Sequence, residues 1–242
     1  MLEHLDRLVA AARALGVPVT SPVAERLSLH WDLVREAGER MNLTRVAPED
    51  AWVDHVLDSL ALLSDPRFPD SGQLVDVGSG AGYPGLALAI ARPGLRVTLL
   101  ESNGRRAQFL AGAVAQLGLA TQCRVVQARA EEVARGRGRE AFPVLVARAL
   151  APLPVLLELT LPMVAVGGVA LLCGGPRMAA ALPRCTSAAR RLGGEPVWVP
   201  VALPDRHRGW VRVEKRRHTP GVFPRNYGVM RRQPLAPTTG DE

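Results

Sequence analysis

Lysine is nearly missing from this chain: of 30 basic residues among 242, Lys215 is the only lysine and the others are arginines. An oxidoreductase that works through a Tyr–Lys pair therefore has no candidate lysine outside the C-terminal stretch. Cysteine is scarce too. Cys123, Cys173 and Cys185 are odd in number, widely spaced and without a C-x-x-C. That excludes a disulfide framework and a cysteine metal site, and it reads as free thiols in a reducing cytosol. No apolar run approaches the roughly 18–20 residues of a membrane span. Glu3, His4, Asp6 and Arg7 interrupt the N-terminus, so no signal peptide is expected. The expected location is the cytoplasm, with no membrane partner.

What is present is a large apolar fraction, 48%, enough for one large domain or a domain with an appendage. The net charge is +7, and positions 201 to 242 hold nine basic and four acidic side chains, so +5 of it lies there. Guanidinium forks suit phosphate, and a polyanionic partner is the natural inference. A coding bias toward Arg and a solvated basic tail are the plainer alternatives.

Residues 1–69 read as a helical segment. Leu2, Leu5, Leu8, Val9, Ala12 and Leu15 keep helical spacing until Gly16. Ser21-Pro22 looks like an N-cap with proline at the first helical position, and Leu27, Trp31, Val34 and Met41 mark one face. Pro48-Glu49-Asp50 opens a third helix, with Val53, Val56, Leu57, Leu60 and Leu63 as its stripe. Asn42-Leu43-Thr44 and His55-x-x-Asp58-Ser59 place polar groups among these helices. His55 and Asp58 are neighbours on a helix, either paired at its surface or lining a pocket.

Residues 70–217 alternate. Strands are expected at 74–77, 96–101, 123–127, 143–147 and 168–173, and helices at 85–91, 104–117, 130–134, 153–165 and 177–192. Strands 197–201 and 210–213 follow, joined by a polar turn over 204–209. This predicts an α/β fold: a doubly wound, mostly parallel seven-stranded sheet with helices on both faces, a late antiparallel strand and an N-terminal helical cap. Arg135 to Arg139 reads as a flexible basic loop, residues 218–242 as a basic Pro/Arg-rich tail, and residues 237–242 as disordered.

One stretch organises the rest. Leu74 to Val77 is a short strand, and Gly78, Gly80, Gly82 and Gly85 surround the turn into an apolar helix. Such a turn brings backbone close to a ligand at a helix N-terminus. Gly80-x-Gly82-x-x-Gly85 fits a dinucleotide fingerprint. Asp76, two residues before Gly78, and Pro84, at the helix start, point elsewhere. The order Asp-x-Gly-x-Gly resembles the class I S-adenosylmethionine (SAM) methyltransferases, in which a carboxylate at Asp76 helps order the loop. A tight turn of any α/β domain is the plain alternative.

In open α/β sheets ligands bind beyond the carboxyl ends of the strands. There Glu101, with Ser102 and Asn103, could accept the ribose hydroxyls of SAM or of NAD. Ala130 and Glu131 could read an adenine edge, or Glu131 could cap a surface helix. Arg148 cannot act as a base; it could hold a carboxylate or phosphate, stack on a base, or sit in a structural ion pair.

Several blocks resemble the bacterial small-subunit rRNA guanine-N7 methyltransferase family, RsmG or GidB. They are Asn42-Leu43-Thr44, His55-x-Leu57-Asp58-Ser59, Asp76 through Gly85, Glu101-Ser102 with Arg106 and Phe109-Leu110, Ala130-Glu131-Glu132, Ala147-Arg148-Ala149 and Thr219-Pro220-x-x-Phe223-Pro224-Arg225. They run in the family's order over about residues 42–235. Departures fall at Glu101, where many members have Asp, at Tyr83, where Leu or Phe is usual, and at Asn226-Tyr227-Gly228.

The resemblance implies a SAM-dependent enzyme that methylates N7 of one guanine in a decoding-region loop of 16S rRNA. The donor becomes S-adenosylhomocysteine, and no metal is expected. It implies cofactor contacts from Asp76, Gly78, Gly80, Tyr83, Glu101, Ser102, Asn103, Ala130, Glu131 and Arg148, with Arg148 as the catalytic positioning residue. Asn42 and His55 are candidates for the guanine pocket. Arg212, Arg216, Arg217 and Arg225 are candidates for RNA phosphates, together with Arg206, Arg208, Lys215, Arg231 and Arg232. Deleting residues 218–242 should then weaken RNA binding more than SAM binding. The expected partner is 16S rRNA, the small subunit or its assembly intermediate, and the expected state a monomer. A SAM enzyme acting on another RNA, a protein or a small molecule, an NAD oxidoreductase, and a non-enzymatic RNA-binding protein are the rival readings.

Overall fold

A computed structural model describes residues 2–237, with side chains from residue 6. The expectation for the last residues therefore lies, from 238 onward, outside the described residues. Two compact units emerge, Met1–Gln127 with Ala202–Arg206 and Ala128–Val201 with His207–Glu242.

The first unit opens with helices α1 (Leu2–Ala14) and α2 (Ser21–Gly38). Thr20, not Ser21, is the residue flanking α2, in extended backbone and without a side-chain cap bond; Pro22 falls in the first turn. Met41 lies beyond the helix end, off the expected face. The third helix is irregular. A 3-10 turn (Pro48–Asp50) leads into a π-helical turn (Trp52–Leu57), then α3 (Asp58–Ala61) and a second 3-10 turn. A one-sided stripe was expected, yet residues 55 to 62 are buried without a break. A helix buried all round reflects core neighbours on every side, and π turns are rare and recur at functional sites.

The α/β part of this unit comprises β1 (Ser71–Val77), α4 (Gly85–Ala91), β2 (Gly94–Glu101), α5 (Gly104–Gln116) and β3 (Cys123–Gln127). β1–β2 and β2–β3 are parallel, with Asp76 level with Leu99 and Val77 with Leu100. α4 is buried over six consecutive residues, Gly85 to Ile90.

The second unit contains α6 (Ala130–Arg135), β4 (Phe142–Arg148), α7 (Leu153–Thr160), β5 (Val164–Gly174), α8 (Pro176–Arg191), β6 (Gly194–Leu203), β7 (Arg206–Lys215) and α9 (Tyr227–Arg232). β4–β5 is parallel and β5–β7 antiparallel. The seven-stranded sheet has the order β3-β2-β1-β4-β5-β7-β6, the doubly wound arrangement with a late antiparallel strand. The helix expected over 153–165 stops at Thr160. Pro162 supplies no N–H and disfavours helix at the residue before it, and Val164 already pairs with Phe142. The expected polar turn over 204–209 shrinks to Pro204-Asp205, with Asp205 at φ 52°. Positive φ at a tight hairpin is tolerated by Asp, and the ladder continues through the polar residues to Gly174↔Gly209.

The basic loop and the tail also differ from expectation. Arg135 Nε donates to Pro224 O at 3.0 Å, and Arg139 donates to Phe223 O at 2.7 Å and Thr219 O at 2.6 Å. The loop is thus the dock of the tail, and Phe223, Met230 and Ala236 are core residues. Removing residues 218–242 would strip this packing together with any RNA contact that the tail makes.

Lys215, expected to grip RNA, is fully buried. Its ammonium donates to Leu161 O (2.7 Å), Val164 O (3.2 Å) and Thr219 Oγ1 (2.7 Å), and lies 3.3 Å from Glu140 Oε1. Burial pushes the ammonium's pKa down, against the pull of Glu140. Burial pushes the Glu140 carboxyl up, but His218, the Thr219 N–H and Lys215 together hold it below its ordinary value. A lowered carboxylate pKa gives stability that is present above the unfolded value and lost as pH falls through the folded one. The stability difference between wild type and Glu140→Gln should accordingly be full at neutral pH and shrink below about pH 4. Urea midpoints measured from pH 7 to pH 3 check this; a difference independent of pH would contradict it.

Candidate active site

In the first unit, Asp76 ends β1 fully buried, and its Oδ2 accepts the Gly85 N–H at 3.0 Å. Ser79 Oγ donates back to Asp76 O at 2.9 Å. The strand therefore holds both ends of the turn. Gly78, Gly80 and Gly82 all have positive φ, 75°, 53° and 90°, which an L side chain rarely adopts. A Cβ on Gly85 would lie 2.6 Å from Asp76 Oδ2, and one on Gly82 would lie 2.9 Å from His30 Nε2. Only glycine fits these two approaches.

Glu101 closes β2. It is buried, and its Oε2 accepts the Gly80 N–H at 3.0 Å while Oε1 accepts the Asn103 N–H at 2.8 Å. Asn103 caps α5, its side chain accepting the Arg106 N–H at 3.1 Å. Ser102 is exposed beside it. Arg106 in turn donates to Asn42 O at 3.0 Å, which fixes the Asn42-Leu43-Thr44 segment.

Tyr83, at the end of the glycine turn, is buried between two imidazoles. His55 stacks on it with centroids 4.6 Å apart and planes 4° from parallel; His30 stacks at 4.4 Å and 28°. His30 Nε2 also lies 2.8 Å from Ala81 O. His55 Nε2 lies 2.7 Å from Thr44 Oγ1, and Ser59 Oγ donates to His55 O at 2.6 Å. His55 and Asp58 are both buried, so the surface-pair reading fails. Sequence reasoning missed His30. Its signal was available: a histidine within the buried face of α2 made by Leu27, Trp31 and Val34. Arg206, grouped above with the RNA contacts, instead donates to Asp54 Oδ1 at 3.0 Å and also binds Asp50.

In the second unit, Ala130 and Glu131 open α6. Glu131 is buried and accepts from Arg129 Nε at 2.7 Å, and the Arg129 guanidinium lies 5.1 Å from the centroid of Tyr227. Glu131 therefore does not cap an exposed helix. The hydrogen bond that Arg129 donates to Glu131, together with the charge of that carboxylate, raises the Arg129 pKa. The departure at Asn226-Tyr227 has a local purpose, since Asn226 Oδ1 caps α9 at the Gly228 N–H and Tyr227 underlies Arg129. Arg148 ends β4, half-buried, before Ala149 at φ 52°.

The expected phosphate contacts are engaged within the protein to different degrees. Arg225 forms a fork on the buried Glu158, with Nε to Oε1 at 2.9 Å and Nη2 to Oε2 at 2.7 Å. Arg225, a candidate for RNA phosphate, is thus held by a carboxylate of the fold. Arg216 bonds Glu214 Oε2 at 2.5 Å, Arg212 lies 4.0 Å from Glu214 Oε1, and Arg217 donates to Arg190 O at 3.1 Å.

A family profile described as GidB, rRNA small subunit methyltransferase G, matches residues 23–207. The chain belongs to this family. "Ribosomal RNA small subunit methyltransferase G" of Alkaliphilus oremlandii is 36% identical over 239 residues, covering 97% of this chain and 100% of its own. The protein of the same name from Symbiobacterium thermophilum is 38% identical, covering 92% and 94%. Among solved structures, the apo S-adenosylmethionine-dependent methyltransferase SibL aligns with TM-score 0.53 and 20% identity over 81% of this chain and 70% of its own. TYW2 of P. horikoshii in complex with MeSAdo aligns with TM-score 0.51 and 12% identity over 70% and 64%. These two share the fold. In this GidB chain the acid at the end of β2 is Glu101, whose Oε2 reaches the glycine turn at the Gly80 N–H.

Proposed function

We propose that this chain transfers the methyl group of SAM to N7 of one guanine in 16S rRNA. The observation that carries the reading is the turn held by Asp76 and Glu101, a cradle too narrow for a Cβ at Gly82 and Gly85. The residues fit the cofactor: an acid for ribose at Glu101 and beside it a glycine turn with room at Gly80, where a Cβ would meet nothing closer than 3.8 Å. SAM supplies an electrophilic methyl on a sulfonium. Guanine N7 offers an exposed lone pair, so the chain need not remove a proton. Its residues instead orient and desolvate.

Cofactor contacts are assigned to Asp76, Gly78, Gly80, Tyr83, Glu101, Ser102, Asn103, Ala130, Glu131 and Arg148. Arg148 orients the methionine end and the base. His55, fixed by Thr44 and by its stack on Tyr83, and the Asn42 segment, fixed by Arg106, form the rim that receives guanine. The chain works in the cytoplasm on the small subunit or its precursor. Among the described residues no helix is long and apolar enough to cross a membrane. Arg148→Ala should lower kcat on rRNA by roughly 100- to 1,000-fold. Single-turnover methylation with saturating SAM tests this, and full turnover would remove Arg148 from the mechanism. Thr44→Val should leave SAM affinity intact and raise KM for RNA several-fold, since it removes the hydrogen-bond partner 2.7 Å from His55 Nε2; an unchanged KM would remove His55 from the rim.

A further inference from the structure

α8 carries Arg177, Arg184, Arg190 and Arg191 and no acidic residue over its 16 positions. Its buried face is Ala181, Leu182, Cys185, Ala188 and Ala189. Arg177, Arg184 and Arg191 recur every seven residues and are all exposed. Seven residues are nearly two turns, so the three lie along one flank with about 20° of drift per step. At the ideal helical rise their positions are about 10.5 Å apart along the axis, a row about 21 Å long, with Pro183 between the first two.

Folding does not explain the row. Cations in the last turn favour the helix dipole, but Arg177 sits in the first turn, where a positive charge opposes it. Among the described residues, neither Arg177 nor Arg184 has a hydrogen-bond or ion-pair partner. Arg191 lies 5.2 Å above the Phe223 ring. Arg190, off the row, is matched by Glu195 at 3.0 Å. The contrast with β7 and the tail is sharp: there Lys215 is buried and Arg225 is held by Glu158. The hairpin and tail hold +5 of the net charge, yet α8 offers arginines with no acid among them.

We infer that this flank of α8 binds RNA backbone, with Arg177, Arg184 and Arg191 each meeting a phosphate of the rRNA substrate; this rests on the RNA-methylating activity proposed above. A row of separated guanidinium groups with no acid among them suits a regularly spaced polyanion and carries no base specificity. Phosphate contacts of this kind hold the substrate in register while the base is presented elsewhere.

The test uses the full chain and transcribed 16S rRNA. R177Q/R184Q should weaken RNA binding about tenfold near 0.1 M salt and lower the slope of log K against log[salt] by roughly 1.4 to 1.8, the value for two lost phosphate contacts. SAM affinity should not change, and R177K/R184K should recover most of the binding. Both residues are exposed, so the variants keep the fold; R191Q added to the pair should lower the slope further. An unchanged slope in R177Q/R184Q would overturn the inference. If wild type methylates rRNA and the slope is unchanged, the surface alone is rejected. If the slope falls but wild type methylates no rRNA, the surface stands and the proposed reaction falls.

Discussion

Arg225→Met will lower the stability of this protein by about 3–5 kcal/mol. Glu158 is fully buried and depends on Arg225 for three hydrogen bonds, from the main-chain N–H at 2.8 Å and from Nε and Nη2. Removing the guanidinium leaves a buried carboxylate without its counter-charge. The reverse change is softer, because Arg225 keeps partial access to water. A double variant, Glu158→Leu with Arg225→Met, should recover most of the loss, since an apolar pair of similar size needs no compensation. For a chain of this length the single variant should melt roughly 6–20 °C lower. Thermal and urea unfolding of the four proteins measures the coupling. An Arg225 that served RNA phosphate would show the opposite pattern, with normal stability and weakened rRNA binding.

Gly85→Ala will weaken SAM binding by 100-fold or more, about 3 kcal/mol. The new methyl would stand 2.6 Å from Asp76 Oδ2 and 2.7 Å from Leu99 Cδ2. Neither can retreat, because Asp76 and Leu99 are fully buried side by side in the sheet. The start of α4 must therefore lift away, and the 3.0 Å bond from the Gly85 N–H to Asp76 goes with it. Gly80→Ala is the control. Its Cβ would meet nothing closer than Gly78 O at 3.8 Å, so only the positive φ of 53° resists it, about 1–2 kcal/mol. Calorimetric titration with SAM should rank wild type, Gly80→Ala and Gly85→Ala in that order. Equal affinities for the two variants would mean that the turn is not the cofactor cradle.

The sheet and the turn were legible because their signals are local. Asp76, the glycines and Glu101 sit at the ends of β1 and β2 where periodicity and the strand–turn–helix pattern place them. Helix α7 was overdrawn because its apolar run continues unbroken into β5, and only Pro162 marks the boundary. The long-range pairs were not legible. Net charge identified the C-terminal stretch as basic, but whether an arginine faces water or a carboxylate depends on partners far away in sequence. Glu158 for Arg225 and Asp50 with Asp54 for Arg206 lie 67 and more than 150 residues away. Lys215 looked like one more phosphate ligand, and its burial against Glu140 follows from the tail folding back, which no composition reveals. His30 was overlooked because a histidine on an apolar helical face reads as core until the partner face, here Tyr83, is known.

The central claim is tested most directly by incubating the protein with methyl-labelled SAM and small-subunit rRNA, naked or in the particle, and cleaving the RNA at N7-methylguanine. One guanine, labelled to near stoichiometry by wild type and left unlabelled by Arg148→Ala, is the result predicted. Label carried on protein, on another atom of the base, or on many guanines alike would contradict it.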